Sequence, residues 1–325
     1  MRATKAFRIY LKRSLLCFLC LISQAIHAQF ESAQFHDWGI VGGALATRVF
    51  YSIQHAKFHA EEPFKGKGVP GVLAFDRGTI GNSSYQAAKT SDWFLYSSLG
   101  GLSLGGIYSR QGTYLGLQTM AITDLTNLLA KNIVRRRRPF TYGTCSATSA
   151  DRSCKKYDRS DYDASLSFYS GHTAQVAAFS YFALSMLWFT TDSFQNGDRD
   201  WMFLVGGAIP AITGHLRIRA GKHFPSDVIV GYVAGAAAGY LIPRWHRDKE
   251  AGYSMGDLND KMGLAILSGV GTGGLLFLIS KVVGKPTREC LECSDRGVLT
   301  TKEKVRFSIK PQIGISNGLR LSLDF

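Results

Sequence analysis

Seven stretches of the chain are rich in apolar residues and carry at most one charge, and polar segments separate them. They lie at 38–46, 93–108, 113–130, 173–190, 202–212, 228–243 and 262–280. The last stretch contains 19 residues without a charge, close to the length that an α-helix needs to cross a bilayer. Most stretches are rich in Gly, Ala and Ser, which let membrane helices approach closely. The pattern predicts an all-α fold, a membrane-embedded bundle of about six helices.

A soluble helical domain is the alternative, because helices buried on all sides are also apolar all round. The mean hydropathy of the chain is close to zero, which keeps this alternative open.

The first 28 residues predict a signal peptide or signal anchor. Five basic residues precede a short apolar run that starts at Ser14, and Ala28 ends a small-residue cleavage pattern. Because the run is short for a membrane span, cleavage is favoured over anchoring. Segment 29–90 mixes charges with Gly and Pro, which predicts an amphipathic or extramembrane segment.

Three further segments complete the predicted domain organisation. Residues 91–245 hold five of the apolar stretches and form the predicted helix-bundle core. Residues 246–285 predict one additional helical, membrane-spanning segment. Residues 286–325 form a tail in which two runs of alternating apolar and polar residues flank Asn317-Gly318, a dipeptide typical of hairpin turns. We therefore predict a small C-terminal β-hairpin.

Composition excludes several classes of protein. With 46% hydrophobic and 19% charged residues, the chain has too much apolar mass for a disordered protein. Six cysteines are too few for a disulfide-dense miniprotein. Cys145 with Cys154, and Cys290 with Cys293, can pair in an oxidising compartment or stay free thiols. The net charge of +14 leaves nucleic acid, an anionic membrane and a phosphorylated substrate as candidate partners.

A first cluster of candidate functional residues combines Lys131 with Arg138-Pro139. The seven-residue step is two helical turns, so both cations lie on nearly the same face, about 10 Å apart along the axis. Because Pro139 disfavours a helical Arg138, we expect the helix to end there. Such a pair can hold one anion from two sides. The basic run 135–138 as a whole is more simply interpreted as a flank of a membrane helix.

Two more clusters carry polar residues at predicted helix starts. Ser170-Gly171-His172 precedes an apolar helix, and the N–H groups of such a start suit a phosphate, although a simple helix cap has the same sequence. Arg217, His223 and Asp227 follow the spacing Arg-x5-His-x3-Asp. An Asp that accepts a hydrogen bond from one imidazole nitrogen leaves the other as a nucleophile. A structural His–Asp pair is the alternative.

Together the clusters resemble the type 2 phosphatidic acid phosphatase superfamily, which includes the vanadium haloperoxidases. The family pattern is Lys-x6-Arg-Pro, Pro-Ser-Gly-His and Ser-Arg-x5-His-x3-Asp, and its order and spacings are found within residues 90–245. Tyr169 replaces the family Pro and Leu216 replaces the family Ser. These two departures concern the fit of the substrate more than the proton and nucleophile chemistry.

The resemblance implies roles for eight residues. His223 would attack phosphorus and form a phosphohistidine, Asp227 would orient His223, and His172 would protonate the leaving alkoxide and then activate water. Five residues would hold the phosphoryl oxygens: Lys131, Arg138, Ser170, Gly171 and Arg217. The resemblance implies no cofactor and no metal, because three cations neutralise the developing charge. No Cys or carboxylate pattern completes a metal site around His55 and His59, and the chain has no Gly-x4-Gly-Lys-Ser/Thr loop.

The implied activity is hydrolysis of an anionic membrane lipid phosphate or pyrophosphate. Alternating the helices across a membrane places all three clusters on one side. If the signal sequence exports the N-terminus and the stretch 38–46 does not span, that side is the periplasm. We therefore predict a bacterial envelope protein with its site facing the periplasm, in the inner rather than the outer membrane. Two other functions stay open, a vanadate-dependent haloperoxidase and a non-catalytic protein that binds anionic lipids. Nucleic acid is not an expected partner, since no recognition fold accompanies the basic charge. The sequence leaves the oligomeric state and the lipid open.

Overall fold

The computed structural model of the chain describes residues 35–55, 72–108, 110–142, 162–190, 199–247, 255–283, 306–312 and 318–324. The predicted signal sequence at 1–28 lies outside the described residues, and so do both cysteine pairs and His59. Contacts within the chain divide it into two units, 1–294 and 295–325.

Seven α-helices form the described part of the first unit. They are α1 (Phe35–His55), α2 (Tyr85–Tyr108), α3 (Arg110–Val134), α4 (Gly171–Thr190), α5 (Asp200–Arg219), α6 (Pro225–Trp245) and α7 (Met255–Val283). Each contains one of the seven apolar stretches, so the all-helical prediction for this part is confirmed. The predicted count of about six was wrong, because the stretch in 29–90 also forms a long helix, α1, which packs on α3.

Helix α4 lies at the centre of the bundle and contacts α2, α3, α5 and α6. Its sequence is apolar on every side, as expected of a helix that is surrounded by others. Tyr181, Trp188 and Phe189 of α4 are among the largest fully buried side chains of the described residues. The centre of the bundle therefore forms a core that fixes the start of α4.

Helix α6 packs closely on α4 through three glycines. A Cβ atom would lie 2.6 Å from the Ser170 carbonyl oxygen at Gly231, 2.0 Å from that of Ala174 at Gly235, and 2.3 Å from that of Ala178 at Gly239. Only glycine permits this approach of the two backbones. The first turns of α4 and α6 are therefore held side by side.

Two helices, α6 and α7, are the described segments long and apolar enough to cross a membrane. Only 17% of the apolar window in α7 is buried, and large apolar side chains are exposed along it. Two exposed tryptophans lie at helix ends, Trp201 in α5 and Trp245 in α6, and a third, Trp93, lies within α2. Exposed apolar surface of this extent, with Trp at its edges, suggests association with a membrane.

The second unit contains two short strands, β1 (Arg306–Gln312) and β2 (Gly318–Asp324). They pair in an antiparallel manner, with Arg306 opposite Asp324 and Gln312 opposite Gly318. The connection at 313–317 lies outside the described residues, so the hairpin turn stays a prediction.

Candidate active site

The three sequence clusters meet where the ends of four helices come together. Lys131 lies near the end of α3 and Arg217 near the end of α5, whereas His172 and Asp227 lie in the first turns of α4 and α6. Antiparallel neighbours bring an end and a start to the same side of a bundle. The Ser170 N–H donates to the Asp227 carbonyl oxygen at 3.0 Å, which joins the second cluster to the third.

His223, just before α6, is 1% exposed and has a defined tautomer. Its Nδ1 lies 2.7 Å from the carbonyl oxygen of Ser167. A carbonyl oxygen can only accept, so Nδ1 carries the proton and Nε2 keeps a lone pair. Burial lowers the pKa of His223 well below its ordinary value, and the charges of Arg138, Arg217 and Lys131 lower it further. The imidazole is therefore neutral near pH 7 and has a nucleophilic nitrogen.

Asp227 is fully buried and does not hold His223 in the way that we expected. Its Oδ2 accepts hydrogen bonds from the Ser167 hydroxyl at 2.5 Å and from the Phe224 N–H at 2.9 Å. Its Oδ1 accepts from Arg136 at 2.6 Å. Because Asp227 lies in the first turn of α6, its carboxylate turns back to cap the helix. Its link to His223 passes through Ser167.

Lys131 contributes a positive charge beside the start of α4. A Cβ atom on Gly171 would lie 2.8 Å from the Asn127 amide oxygen and 3.7 Å from Lys131 Nζ, so a side chain at 171 would crowd Asn127. Burial lowers the pKa of Lys131 to about 8, with a further contribution from Arg138, so its amine stays mostly protonated at pH 7. The glycine leaves the N–H groups of this turn close to a cation.

Arg138 is almost fully buried, and protein acceptors orient its guanidinium group. Its Nε and one terminal nitrogen donate to the carbonyl and carboxylate of Asp163, each at 2.7 Å. The other terminal nitrogen donates to the Lys222 carbonyl oxygen at 3.1 Å. These bonds use three of five N–H groups and leave two that can donate to an anion.

Asp163 is a carboxylate beside this group of cations, and sequence reasoning missed it. Partial desolvation raises its pKa, but the charges of Arg138, Lys131 and Lys222 outweigh this effect and lower the pKa well below its ordinary value. Its side chain is nevertheless 54% exposed. Asp163 is therefore an ionised group that pairs with Arg138 while remaining accessible to solvent.

Asp92 of α2 is a second carboxylate that the sequence did not identify. It lies 3.0 Å from Nε2 of His172 and 3.6 Å from a terminal nitrogen of Arg217. The pKa of His172 is lowered to about 4, mainly by burial and in addition by the charge of Arg217, although Asp92 opposes both effects. The sequence offered one indication of Asp92, its position directly before the apolar stretch 93–108. Because charges are common at the ends of apolar stretches, this position did not identify it as a site residue.

The two departures from the family pattern have defined contacts. The hydroxyl of Tyr169 is 2.8 Å from that of Thr126, and its carbonyl oxygen accepts from Asn127 at 2.7 Å. These bonds tie the turn before Ser170 to α3, in place of the rigidity that a proline supplies. Leu216 packs against a small apolar cluster at the start of α2 and the end of α5.

The site is thus rich in cations, with two histidines and the open N–H groups of a helix start. Across the described ranges, no group of three or more His, Cys, Asp or Glu residues is arranged to hold a metal ion. Buried cations beside a helix N-terminus stabilise a bound anion such as a phosphate.

Comparison with known families agrees with this chemistry. Residues 113–251 match the family model of the PAP2 superfamily, and all eight residues singled out in the sequence lie within the match. Comparisons with curated proteins and with solved structures found no match. The superfamily match supports a phosphatase-type activity, the hydrolysis of phosphoric esters in general. Residues 113–251 therefore match the PAP2 superfamily, the type 2 phosphatidic acid phosphatase superfamily that the sequence motifs resemble.

Proposed function

We propose that this protein is a metal-independent phosphatase that hydrolyses a membrane lipid phosphate or pyrophosphate through a phosphohistidine intermediate. The observation that carries the proposal is the state of His223. Its Nδ1 proton is held by a carbonyl oxygen, and three cations lie close enough to lower its pKa. A neutral imidazole with a free Nε2 lone pair beside an anion site is suited to attack phosphorus.

In the first step, Nε2 of His223 forms a bond to phosphorus while the bond from phosphorus to the lipid oxygen breaks. His172 in its protonated form donates a proton to this leaving oxygen. Burial and, after it, the charge of Arg217 lower the pKa of His172 to about 4. The negative charges of a bound phosphate offset the effect of Arg217, so substrate binding raises the pKa and favours the acid form.

In the second step, water attacks the phosphohistidine and the P–N bond breaks. Neutral His172 accepts the proton of the water, and Nε2 of His223 regains its lone pair as inorganic phosphate forms. Lys131, Arg138 and Arg217, with the turn of Ser170 and Gly171, hold the phosphoryl oxygens in both steps. Fixed cations stabilise the transition-state charge without rearrangement at the moment of reaction.

The same proposal includes a membrane location. The candidate spans α6 and α7 and the exposed apolar surface support it. Because the site lies at one end of the helices, it would meet the headgroup of a lipid whose chains stay in the bilayer. We place the protein in a bacterial cell envelope, more specifically the inner membrane, with the site facing the periplasm and an anionic lipid phosphate as substrate.

The experiment is a phosphate-release screen over purified lipid phosphates and diphosphates, with the full chain in detergent and EDTA present. We expect turnover by the wild type and at least a thousandfold loss in the His223→Ala and His172→Ala variants, on the order found when catalytic-triad members are removed. Near-normal turnover by folded His223→Ala refutes the mechanism. Halide oxidation that requires added vanadate, without phosphate release, would instead establish the haloperoxidase alternative.

A further inference from the structure

Arg136 lies in the basic run 135–138, yet its side chain is only 15% exposed. It is placed between two fully buried carboxylates, at 2.8 Å from Asp76 and 2.6 Å from Asp227. It also donates to the Ser226 hydroxyl at 2.6 Å, and its guanidinium carbon lies 4.2 Å from the centre of the Phe224 ring. Arg136 therefore belongs to a group of buried charged and polar side chains that contact the first turn of α6 and support it.

Asp76 completes this support from a distant part of the sequence. It lies in the turn before a short 3₁₀ helix, Arg77–Thr79, outside the segment that matches the family model. Its carboxylate accepts from the Ser226 N–H at 3.0 Å and from the Ser226 hydroxyl at 2.6 Å, in addition to Arg136. Asp76 thus holds both the start of α6 and the guanidinium of Arg136.

A continuous chain of hydrogen bonds leads from Arg136 to His223. Arg136 donates to Asp227, which accepts the hydroxyl of Ser167, and the carbonyl oxygen of Ser167 accepts Nδ1–H of His223. The Ser167 N–H in turn donates to the carbonyl oxygen of Arg136 at 2.7 Å. Ser167 is therefore held at its N–H by the backbone of Arg136 and at its hydroxyl by the carboxylate that Arg136 binds.

We propose that Arg136 is a positioning residue for the nucleophile, acting through Asp227 and Ser167 to fix the orientation and the tautomer of His223. The proposal rests on the proposed function, since it concerns the imidazole that attacks phosphorus. Arginine suits this role because its planar fork binds two carboxylates at once, whereas lysine presents a single point charge. Groups that orient a reactive imidazole commonly change activity tenfold to a hundredfold when they are replaced.

The test replaces Arg136 with lysine, which keeps the charge and loses the fork. Arg135→Lys is the matched control, because Arg135 is exposed and belongs to the same run. For Arg136→Lys we expect a roughly 10- to 100-fold lower kcat with KM almost unchanged and a folded protein. The control keeps the wild-type kcat. A wild-type kcat in Arg136→Lys overturns the proposal.

Two further measurements separate positioning from a general structural effect. In a protein that already carries Asp227→Asn, Arg136→Lys should lower kcat by less than about threefold. The reason is that the first substitution already interrupts the hydrogen-bond chain from Arg136 to His223. Equal losses in both backgrounds contradict an action through Asp227. If Arg136→Lys does not fold, Asp76→Asn replaces it, since it loosens the guanidinium with little change of shape, and an unchanged kcat there overturns the proposal.

The failure of this proposal differs from a failure of the proposed function. If folded His223→Ala retains turnover, the phosphohistidine mechanism fails whatever the Arg136 variant does. If His223→Ala is inactive but Arg136→Lys and Arg135→Lys match the wild type, the mechanism stands and the positioning role is wrong.

Discussion

Replacing Asp92 with asparagine tests whether Asp92 favours the protonated form of His172, the form that the proposed mechanism requires. Asparagine can still accept a hydrogen bond from the imidazole, which lies 3.0 Å away, but it removes the negative charge that favours the protonated ring. The variant should therefore lower the pKa of His172 and shift the alkaline side of the kcat–pH profile to lower pH.

The size of the shift follows from the contact. A hydrogen bond between charged partners contributes roughly 1.5–3 kcal/mol, and a neutral one roughly 0.5–1.5 kcal/mol. The difference between the midpoints of these two ranges is about 1.25 kcal/mol, and since one pKa unit corresponds to about 1.36 kcal/mol, the alkaline side should move by about one pH unit. Both side chains are about three-quarters buried, so solvent screens the interaction only in part.

The assay is phosphate release over pH 5 to 9, an interval of about 4 units around the ordinary pKa of histidine, with kcat measured at saturating substrate. Asp200→Asn is the control, because Asp200 also forms an ion pair at a helix start, with Lys261, far from this site in the fold. An Asp92→Asn profile that overlays the wild-type profile would show that Asp92 does not govern the protonation of His172.

Three further predictions concern packing, affinity and pH. Gly235→Ala should lower the free energy of unfolding by about 1–3 kcal/mol because its Cβ would meet the backbone of α4, whereas Gly263→Ala, with open space around it, should not; thermal unfolding in detergent measures both. Asp163→Asn should lower the inhibition constant for phosphate severalfold, since it removes a carboxylate that competes for Arg138; an unchanged constant argues against that competition. Stability should fall as the pH drops from about 6.5 to 4, because the lowered pKa of His172 lets the unfolded chain bind more protons than the folded one, and a flat unfolding midpoint over this range contradicts it.

The helices were predictable because long runs of apolar residues without charges are local features of the sequence. Each apolar stretch, including 38–46 in α1, lies within one helix, whether its side chains are mostly buried, as in α4, or mostly exposed, as in α7. The spacings Lys-x6-Arg and Arg-x5-His-x3-Asp were also local, so residues such as Lys131 and His223 could be identified before their surroundings were known.

The supporting contacts were not predictable, because they join residues far apart in the chain. Asp76 reaches α6 across 150 positions, and Asp92 reaches His172 across 80. The sequence around each of these two aspartates does not distinguish it from an aspartate exposed to solvent. The same holds for Arg136, which cannot be distinguished from its exposed neighbour Arg135 by composition. Direct pairing of His223 with Asp227 was expected from their spacing. The Asp227 carboxylate instead accepts the Phe224 N–H at the start of α6 and the Ser167 hydroxyl.

The backbone contacts between α4 and α6 also bear on the motions that a catalytic cycle requires. Ser170 is bonded through its N–H to the carbonyl of Asp227, and its own carbonyl oxygen lies against Gly231. His172 in the first turn of α4 and His223 just before α6 are therefore both held by one closely packed pair of helices, which sets their separation when the protein folds. A substrate would meet a preformed pair, and binding would require adjustment only of side chains at the rim, such as the half-exposed Asp163, without closure of a domain.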